Sequence, residues 1–536
     1  MKIKALRLAA KILIGLVVLV CLGIFFGISW VNKNLESILN SNPDRKYDIN
    51  FEMVDFDYLR RIIHISEVKI SPVGAHDGVF VEGEAAQISL NKLNWAQLVL
   101  FKKLKLKEFV FSNPQLTVFV PKENADEEKS GEGLKGFFGD VLSRGEIQNF
   151  EVTQAHLTMI LEDDQIGSVS NLNILATGLE TDSLKVANPI PFDYERIIVS
   201  IDSMNHKLAN GEQFKAGKIS FDTDIQELSF KGLSLKYPDG VVGAASKMNY
   251  QIDLIEFDLD SMKFSGLEAT SNLYSNPDVR AEKLELSGLV LRDLRDKNLP
   301  RPHDDIKPLF QGMVMAIPFP LKLDTLRVSR STIIYSEVVP DSDDVWEFHL
   351  DHLNGHFVNI TTIPEYQERL KLFEGDFTAK INGGGSMIID FDIPYAEDRF
   401  DLNVELTDFP LPRINEILDP IMNGEIVAGD LHRLYLEMHA DSMKATNKFT
   451  FDYTGLKFNL FKKDSKEKNK LMSTVANILL KESNMPGENK YTLPEYVTVR
   501  NRLRSPFHLI WNSAKDGMML TIPGGAARTI LSPGEK

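Results

Sequence analysis

The chain has 536 residues and a single cysteine, Cys21, which excludes an internal disulfide and a cysteine-based zinc ribbon. Its 76 acidic residues outnumber the 60 Lys and Arg residues, for a net charge of −16. This balance argues against a nucleic-acid partner and against simple electrostatic adhesion to anionic lipid head groups.

The N-terminal segment predicts a membrane anchor. Residues 12–31 form an uncharged, apolar run of 20 residues, preceded by Lys2, Lys4, Arg7 and Lys11. A run of this length can cross a bilayer as one helix, and the preceding positive charge holds residues 1–11 in the cytoplasm. We therefore expect a single-pass membrane protein with everything after residue 31 on the far side of the membrane.

Two alternatives apply to the same segment. A cleaved signal peptide has a shorter apolar region and small residues at the cleavage site, and residues 29–32 (Ser-Trp-Val-Asn) offer a poor one. Lipid attachment at Cys21 would normally need a small residue before the cysteine, where the chain has Val20. A buried thiol within an uncleaved helix is the favoured interpretation.

Beyond the anchor, apolar and polar residues alternate with a period of two, which predicts half-buried β-strands. The clearest segments are Arg61–Ser71, Leu104–Val120, Leu321–Val338, Asp401–Thr407 and Leu434–Met438. The sequence therefore predicts a mainly β protein.

Few segments show the spacing of a helix. Leu134–Leu142 and Pro412–Leu418 predict short helices, and Ser465–Glu482 predicts a late amphipathic helix with one apolar stripe. The charged stretch Pro121–Glu132 predicts a loop, and the basic stretch Lys462–Lys470 leads into the late helix.

Two weak repeats accompany the strands. One reads as an apolar-x-apolar-Ser/Thr strand end, a short turn and a second strand, and it begins at Phe109, Phe150 and Leu326. The other places a Gly-Leu pair after apolar-x-apolar-Lys/Ser, and it begins at Leu228, Met262 and Leu284. The glycine of the second form predicts a bulge or bend in a strand.

The sequence contains no recognisable enzyme signature, so we predict no catalytic, cofactor or metal site and a protein that is not an enzyme. His349, His352 and His356 form the densest histidine cluster. Residues three apart on a strand face opposite sides, so these side chains do not converge as metal ligands must. Gly383–Gly385 predicts a bend before the next strand.

With so few helices, the strands can form a sandwich, close into a barrel or curl into a gutter with an apolar lining. A gutter leaves a large apolar face exposed, which soluble proteins avoid unless it binds something. Acyl chains suit such a lining because apolar contact is non-directional. The candidate lining residues are Phe109, Phe111, Leu116, Val118, Leu326, Val328, Ile333 and Tyr335.

Several segments carry a resemblance to a known family. They are the run at 12–31, Val68–Pro72, Leu104–Val120, Phe373–Ala379, Gly385–Ile393, Leu406–Met438, Phe451–Phe461 and Arg504–Leu520. Together they resemble the AsmA-like family of bacterial envelope proteins, which are related to bridge-like lipid-transfer proteins. The Asn-Pro pair between two apolar strands at residues 113–114 is similar to a unit that recurs in that family.

The resemblance implies an inner-membrane anchor at 12–31 in a Gram-negative cell and a periplasmic domain built as an elongated antiparallel β-gutter with a few short helices. Within that domain it implies an N-terminal β-groove region at 33–300 and a C-terminal AsmA-like region at 301–536. The chain is shorter than the longest bridge-like members.

The implied function is passive conduction of phospholipids or maintenance of outer-membrane lipids, with phospholipid acyl chains and the inner membrane as partners and no cofactor. The alternative is a non-enzymatic scaffold with a protein partner in the envelope, which the acidic surface and the loop Pro121–Glu132 would serve. A hydrolase of envelope polymers is a third class, for which the sequence offers no convergent acid/base pair.

Overall fold

A computed structural model describes residue 26 and most of residues 29–523. Within that range the residues left out of the description are 32, 42, 44, 58–59, 75–78, 102–103, 121–136, 138, 141, 143–144, 163, 181–191, 269–277, 303–304, 340–343, 419–423, 462–472 and 474–479. The loop predicted at 121–132, the basic stretch 462–470 and nearly all of the run at 12–31 therefore lie outside the described residues.

The chain divides into two compact units. Unit 1 comprises Met1–Lys207, Gly217–Glu227 and Ala269–Asn276, and unit 2 comprises Leu208–Ala216, Leu228–Glu268 and Pro277–Lys536. Residue 300 lies within unit 2. The described residues contain 22 strands of a mixed sheet and only short helices, so the prediction of a mainly β fold is confirmed.

Unit 1 holds ten of the described strands. They are β1 (Tyr47–Asn50), β2 (Met53–Asp57), β3 (Ile62–Pro72), β4 (Phe80–Asn91), β5 (Leu104–Val120), β6 (Gly145–Leu161), β7 (Asp164–Thr177), β8 (Arg196–Ile201), β9 (Ser203–Lys207) and β11 (Ile219–Asp222). Helix α1 (Trp95–Phe101) precedes β5, and residues 33–39 form a helix before β1.

Unit 2 holds the other twelve. They are β10 (Gln213–Ala216), β12 (Glu227–Lys236), β13 (Leu254–Ser265), β14 (Val279–Asp296), β15 (Leu321–Val338), β16 (Val345–Thr361), β17 (Leu372–Ile381), β18 (Gly384–Pro394), β19 (Arg399–Pro410), β20 (Gly424–Asp441), β21 (Lys444–Leu460) and β22 (Glu495–Val499).

The labelled helices of unit 2 connect or cover these strands. They are α2 (Gly240–Ala245), α3 (Phe310–Met315), α4 (Pro364–Leu370), α5 (Asn415–Leu418) and α6 (Pro506–Thr521), with a 3₁₀ turn at Leu411–Ile414. The helix predicted at Pro412–Leu418 is confirmed as this 3₁₀ turn followed by α5.

The prediction of a late helix at Ser465–Glu482 is wrong at its C-terminal end, residues 480–482. Leu480 forms a β-bridge with Pro523, and the Lys481 amide donates to the Ile522 carbonyl. The Glu482 carbonyl accepts the amide of Leu456 on β21. These backbone groups bond across the fold instead of along a helix, and the residues of the prediction before Leu480 lie outside the described part except Ser473.

Two pairs of neighbouring strands among the described residues are parallel, so the prediction of an antiparallel sheet needs correction. Strands β5 and β6 are parallel, and so are β14 and β15. Parallel neighbours require a crossover connection that returns the chain to the same end of the sheet. The crossovers are residues 121–144 in unit 1 and 297–320 in unit 2.

The predicted strand-turn-strand repeats are continuous strands with a bulge in the middle. The residue after the Ser/Thr position has a left-handed backbone in Asn113 (φ 49°), Gln154 (φ 55°) and Arg330 (φ 51°). The glycine of the second repeat has the same conformation in Gly232, Gly266 and Gly288. Both repeats therefore contain a left-handed residue. Gly266 directly follows the last residue of β13, whereas the other five lie within a strand and shift which alternate side chains face the core.

The same bulge geometry occurs once in each unit beside the parallel pair. The Gln154 amide donates to Asn173 Oδ1 at 2.9 Å, and Asn173 Nδ2 donates to the Asn171 carbonyl at 2.9 Å. In unit 2 the Arg330 amide donates to Asn354 Oδ1 at 2.9 Å, and Asn354 Nδ2 donates to the His352 carbonyl at 2.6 Å. Strands β5–β7 and β14–β16 are therefore structural repeats of one another.

Unit 1 has a closed core. Phe137, a helical residue of the β5–β6 crossover, is 1% exposed. Its ring packs edge-on against Tyr47 at 5.4 Å and in a tilted orientation against Phe111 at 6.1 Å. Val31, the last residue of the predicted membrane run, is fully buried in this core. Among the described residues no helix is long and apolar enough to cross a membrane.

Candidate functional site

Unit 2 carries a continuous apolar face across β15–β18. We call it the apolar face. Its core is Leu353, Phe377 and Ala379, and the partly buried residues packed against that core are Val328, Ile333, Leu350, Phe357, Met387, Ile389 and Phe391. Strand alternation places these side chains on one side of the sheet, and the bulges at Arg330 in β15 and His352 in β16 keep that side constant along those two strands.

Strand register extends this face to β13 and β14. Phe264 pairs with Leu284, Leu284 with Leu326, and Leu326 with Phe357. Residues directly opposite one another in a sheet project to the same side. An apolar row therefore runs across four neighbouring strands, and all four of its side chains are only half-buried.

The other side of the same strands is polar. Glu285 pairs in register with Arg327, Arg327 with His356, and His356 with Asp376, whose carboxylate lies 3.4 Å from the imidazole. Asp376 pairs in register with Asp390 on β18, and the side chain of Asp390 is exposed. The sheet of unit 2 is thus amphipathic, with one apolar side and one charged side.

The four predicted lining residues of unit 1 do not lie on such a face. They are 2–4% exposed and belong to the closed core: Phe109, Phe111, Leu116 and Val118. Phe109 and Phe111 border a cavity of about 10 Å³, which has room for no more than about one water molecule. The structure therefore places this set in a packed interior.

The four predicted residues of unit 2 do lie together. Val328 and Ile333 pack on the apolar face, and Leu326 is in register with Phe357. Tyr335 is at the end of the face, where its ring meets Trp346 edge-on at 5.7 Å. The bulge at Arg330 explains why the first two residues are even-numbered and the last two odd-numbered although all four project to one side.

Sequence reasoning missed the part of the apolar face on β16–β18, including Leu350, Phe357, Met387, Ile389 and Phe391. The signal was present in Met387–Ile393, where apolar residues alternate with Asp390 and Asp392 toward the strand end. Residue Ile388, on the charged side, interrupts that alternation and is 46% exposed.

The crossover of unit 2 reaches part of this face without filling it. Phe310 of α3 packs edge-on against Phe391 at 5.4 Å, Phe400 at 5.0 Å and Phe507 of α6 at 5.2 Å. Phe310 is half-buried, whereas Phe137 of the corresponding crossover in unit 1 is buried. The apolar residues of β13–β16 away from Phe310 remain partly open to solvent.

The apolar face ends in polar and aromatic side chains. Leu291 on β14 pairs with Ile333 on β15. The next pairs on the same side of the sheet are Asp293 with Tyr335 and then Arg295 with Glu337. Tyr335 donates a 2.5 Å hydrogen bond to Glu337. We call this region the polar end of the face.

Ion pairs hold the polar end together. Arg295 makes a two-pronged contact with Asp253, with Nε and Nη2 donating at 2.7 and 2.6 Å, and Lys297 pairs with Glu337 at 2.9 Å. Burial raises the pKa of Asp293 to about 7, helped by the negative charge of Asp253 and opposed by Arg295. Asp293 Oδ1 is buried without a hydrogen-bond partner.

The histidines of β16 make separate local contacts. His349 pairs with Glu347 at 3.0 Å, and His356 pairs with Asp376. No group of three or more potential metal ligands occurs in the part of the chain that the structure describes. Gly383, in the tight turn between β17 and β18, and Gly385, the second residue of β18, both have left-handed backbones in the segment that predicts a bend.

No protein-family model matches the chain, and no curated protein matches its sequence. The amphipathic, groove-like sheet of unit 2 is therefore the feature from which function has to be argued.

Proposed function

We propose that the protein is a non-enzymatic lipid carrier whose apolar face in unit 2 holds phospholipid acyl chains. In this proposal residues 12–31 anchor it in the inner membrane of a Gram-negative cell, and the β-rich remainder lies in the periplasm and carries lipid toward the outer membrane. The observation that supports it is the row of half-buried apolar side chains on one side of a sheet whose other side is charged.

Acyl chains fit this face better than a polar ligand does. Its members are aliphatic and aromatic side chains, which offer broad contact and no fixed hydrogen-bonding pattern. A partly open apolar surface of this continuity is costly in water and is kept where it binds something. A lipid tail would cover it while the head group stays in water.

The mechanism is passive. Contacts between an acyl chain and apolar side chains have similar energies at neighbouring positions, so a chain can move along the face without breaking a specific bond. Net direction then comes from a concentration gradient or from a protein partner in the envelope.

Two consecutive residues of β18 provide a test with a matched control. Ile389 lies on the apolar face, and Ile388 lies on the charged side. Full-length protein would be purified in a detergent that preserves bound lipid, and lipid phosphorus per chain measured after extraction. Ile389→Asp should lower the lipid content by about tenfold, because a carboxylate faces the tails, while Ile388→Asp should leave it unchanged.

Folding is checked on the same samples by circular dichroism, and Ile389→Ser replaces Ile389→Asp if the latter unfolds. A folded wild-type protein that carries no lipid and takes none from vesicles would overturn the proposal. A stoichiometric protein partner on such a lipid-free protein would instead favour the scaffold function. Equal lipid loss in both variants would show that the apolar face is not the binding surface.

A further inference from the structure

The polar end of the apolar face is joined by a second segment of chain. The Gln251 amide donates to the Pro300 carbonyl at 2.9 Å, and Gln251 Nε2 donates to the Leu299 carbonyl at 2.7 Å. These bonds hold residues 299–301 beside the start of β13. Arg301 is therefore at the same end of the sheet as the Arg295–Asp253 pair.

A third segment, residues 500–508, reaches the same place. The Lys307 amide donates to the Arg502 carbonyl at 2.9 Å, and Phe507 meets Phe310 at 5.2 Å. Arg504 lies between these two contacts, just before α6, and is half-buried. Its electrostatic neighbours include Arg301, Arg295, Glu337 and Tyr335.

This cluster contains more basic side chains than ion pairs to neutralise them. Arg295 and Lys297 are paired with Asp253 and Glu337. Among the described residues no ion pair is formed by Arg301 or Arg504. Burial lowers the pKa of Arg504, and the charges of Arg301 and Arg295 lower it further, opposed by Glu337 and Tyr335.

His508, on α6, lies near the same cations. Burial lowers its pKa, followed by the charges of Arg504, Lys515, Lys297 and Arg301. Crowded cations that disfavour one another's charged state are stabilised by an anion placed among them. The cluster therefore has the electrostatic character of an anion site.

Aromatic rings separate this cluster from the apolar residues. Tyr335 and Trp346 lie edge-on, and Phe348 pairs with Tyr335 in the sheet. The order along the strands is apolar side chains, then Tyr and Trp, then Arg and Lys. The same order occurs where membrane proteins cross from lipid tails to head groups.

We propose that Arg301 and Arg504 bind the phosphate of an anionic phospholipid whose acyl chains lie on the apolar face. This inference rests on the proposed function and adds a head-group preference to it. Arginine suits the role because its planar guanidinium can donate two parallel hydrogen bonds to a phosphate.

The local site is needed because the whole chain carries a net charge of −16. Long-range electrostatics therefore disfavour an anionic lipid relative to a zwitterionic one. A preference for the anionic lipid has to come from cations in direct contact with the head group.

The test uses full-length protein equilibrated with vesicles of equal parts phosphatidylglycerol and phosphatidylcholine, followed by extraction and measurement of both lipids. The wild type should be enriched in phosphatidylglycerol. The double variant R301Q/R504Q should lose that enrichment by about tenfold, since two charge-assisted contacts are removed, while total lipid per chain is unchanged. The control R327Q/K380Q removes two cations from the charged side of the sheet and should keep the enrichment.

The outcomes separate this inference from the proposed function. Lipid binding by the wild type without preference, or a preference that R301Q/R504Q retains, overturns the head-group site and leaves the carrier function standing. No lipid on the wild type overturns both. Binding of inorganic phosphate by calorimetry that is lost in R301Q/R504Q, with lipid choice unchanged, would assign the cluster to free phosphate and also overturn the proposal.

Discussion

Gly288 on β14 and Arg330 on β15 follow a pair of serines, Ser287 and Ser329, that lie opposite each other in parallel strands. Both have left-handed backbones, with φ of 70° and 51°. Arg330 also donates from Nη2 to Ser287 Oγ at 2.7 Å. The two bulges are therefore coupled, and together they keep the apolar side chains of both strands on one side of the sheet.

We predict that Gly288→Ala destabilises the protein by about 2 kcal/mol. A β-carbon at φ 70° is strained by about 1–2 kcal/mol, and it would also collide with the carboxylate of Asp260. Thermal unfolding of the purified protein measures the effect as a lower Tm.

Gly455→Ala is the matched control. Gly455 has φ of 68°, but a β-carbon there meets no atom within 4 Å. It should cost about 1 kcal/mol from backbone strain alone. Equal losses in the two variants would show that Asp260 moves aside freely.

The bulges also show what the sequence could and could not reveal. The bounds Leu104–Val120 and Leu321–Val338 were predictable because alternation extends along the whole strand. The sequence predicts a turn at Asn113 because an Asn-Pro pair favours one. Neighbouring strands supply hydrogen bonds on both sides, so the chain continues as a strand with one left-handed residue.

The difference between the two sets of candidate lining residues could not be predicted. Phe109 and Leu326 occupy the same place in similar repeats, yet Phe109 is buried in a closed core and Leu326 is only half-buried. Phe137 from the crossover of unit 1 lies beside Phe109 in the core, whereas Phe310 from the crossover of unit 2 packs against Phe391, Phe400 and Phe507. Local alternation contains no information about these contacts.

This difference predicts opposite responses to the same substitution. Val118→Asp places a carboxylate in the closed core of unit 1, where it has no partner, and should abolish folding of that unit. Ile333→Asp places it on the half-open face of unit 2, where the protein should fold and lose bound lipid. Circular dichroism and lipid phosphorus are measured on both variants.

Two results would contradict this prediction. If Ile333→Asp fails to fold, the apolar face is a closed core in solution. If Val118→Asp folds and loses lipid, then the interior of unit 1 also opens to bind it.

The two crossover phenylalanines should differ in their contribution to stability. Phe137→Ala leaves a cavity among buried rings and should cost about 3–5 kcal/mol. Phe310 is half-buried and contacts three rings at their edges, so Phe310→Ala should cost only about 1–2 kcal/mol. Thermal unfolding compares the two.

Lipid content provides the second measurement for this pair. Phe310→Ala uncovers part of the apolar face and should not lower bound lipid, whereas a loss of lipid would show that Phe310 itself contacts the tails. A smaller destabilisation for Phe137→Ala than for Phe310→Ala would contradict the packing described for unit 1.

The polar end of the face should make stability depend on pH through Asp293. Its pKa is raised from 3.8 to about 7, mainly by burial. Between these values the folded protein keeps a proton that the unfolded chain has released. Stability from this group is therefore present at low pH and is lost as pH rises through the window from about 4 to 7.

Asp293→Asn isolates this effect, because the amide resembles the protonated carboxyl and does not titrate. At about pH 8 the variant should be more stable than the wild type by on the order of 2–4 kcal/mol, and at about pH 4 the two should be alike. Thermal unfolding of both proteins across this range measures the difference.

Asp390→Asn, on the charged side, is the control. Burial also raises the pKa of Asp390, but that side chain is more exposed than Asp293, so the effect of its substitution on stability should be smaller. A stability gain for Asp293→Asn that is the same at both pH values would show that packing, and not the charge of Asp293, is responsible.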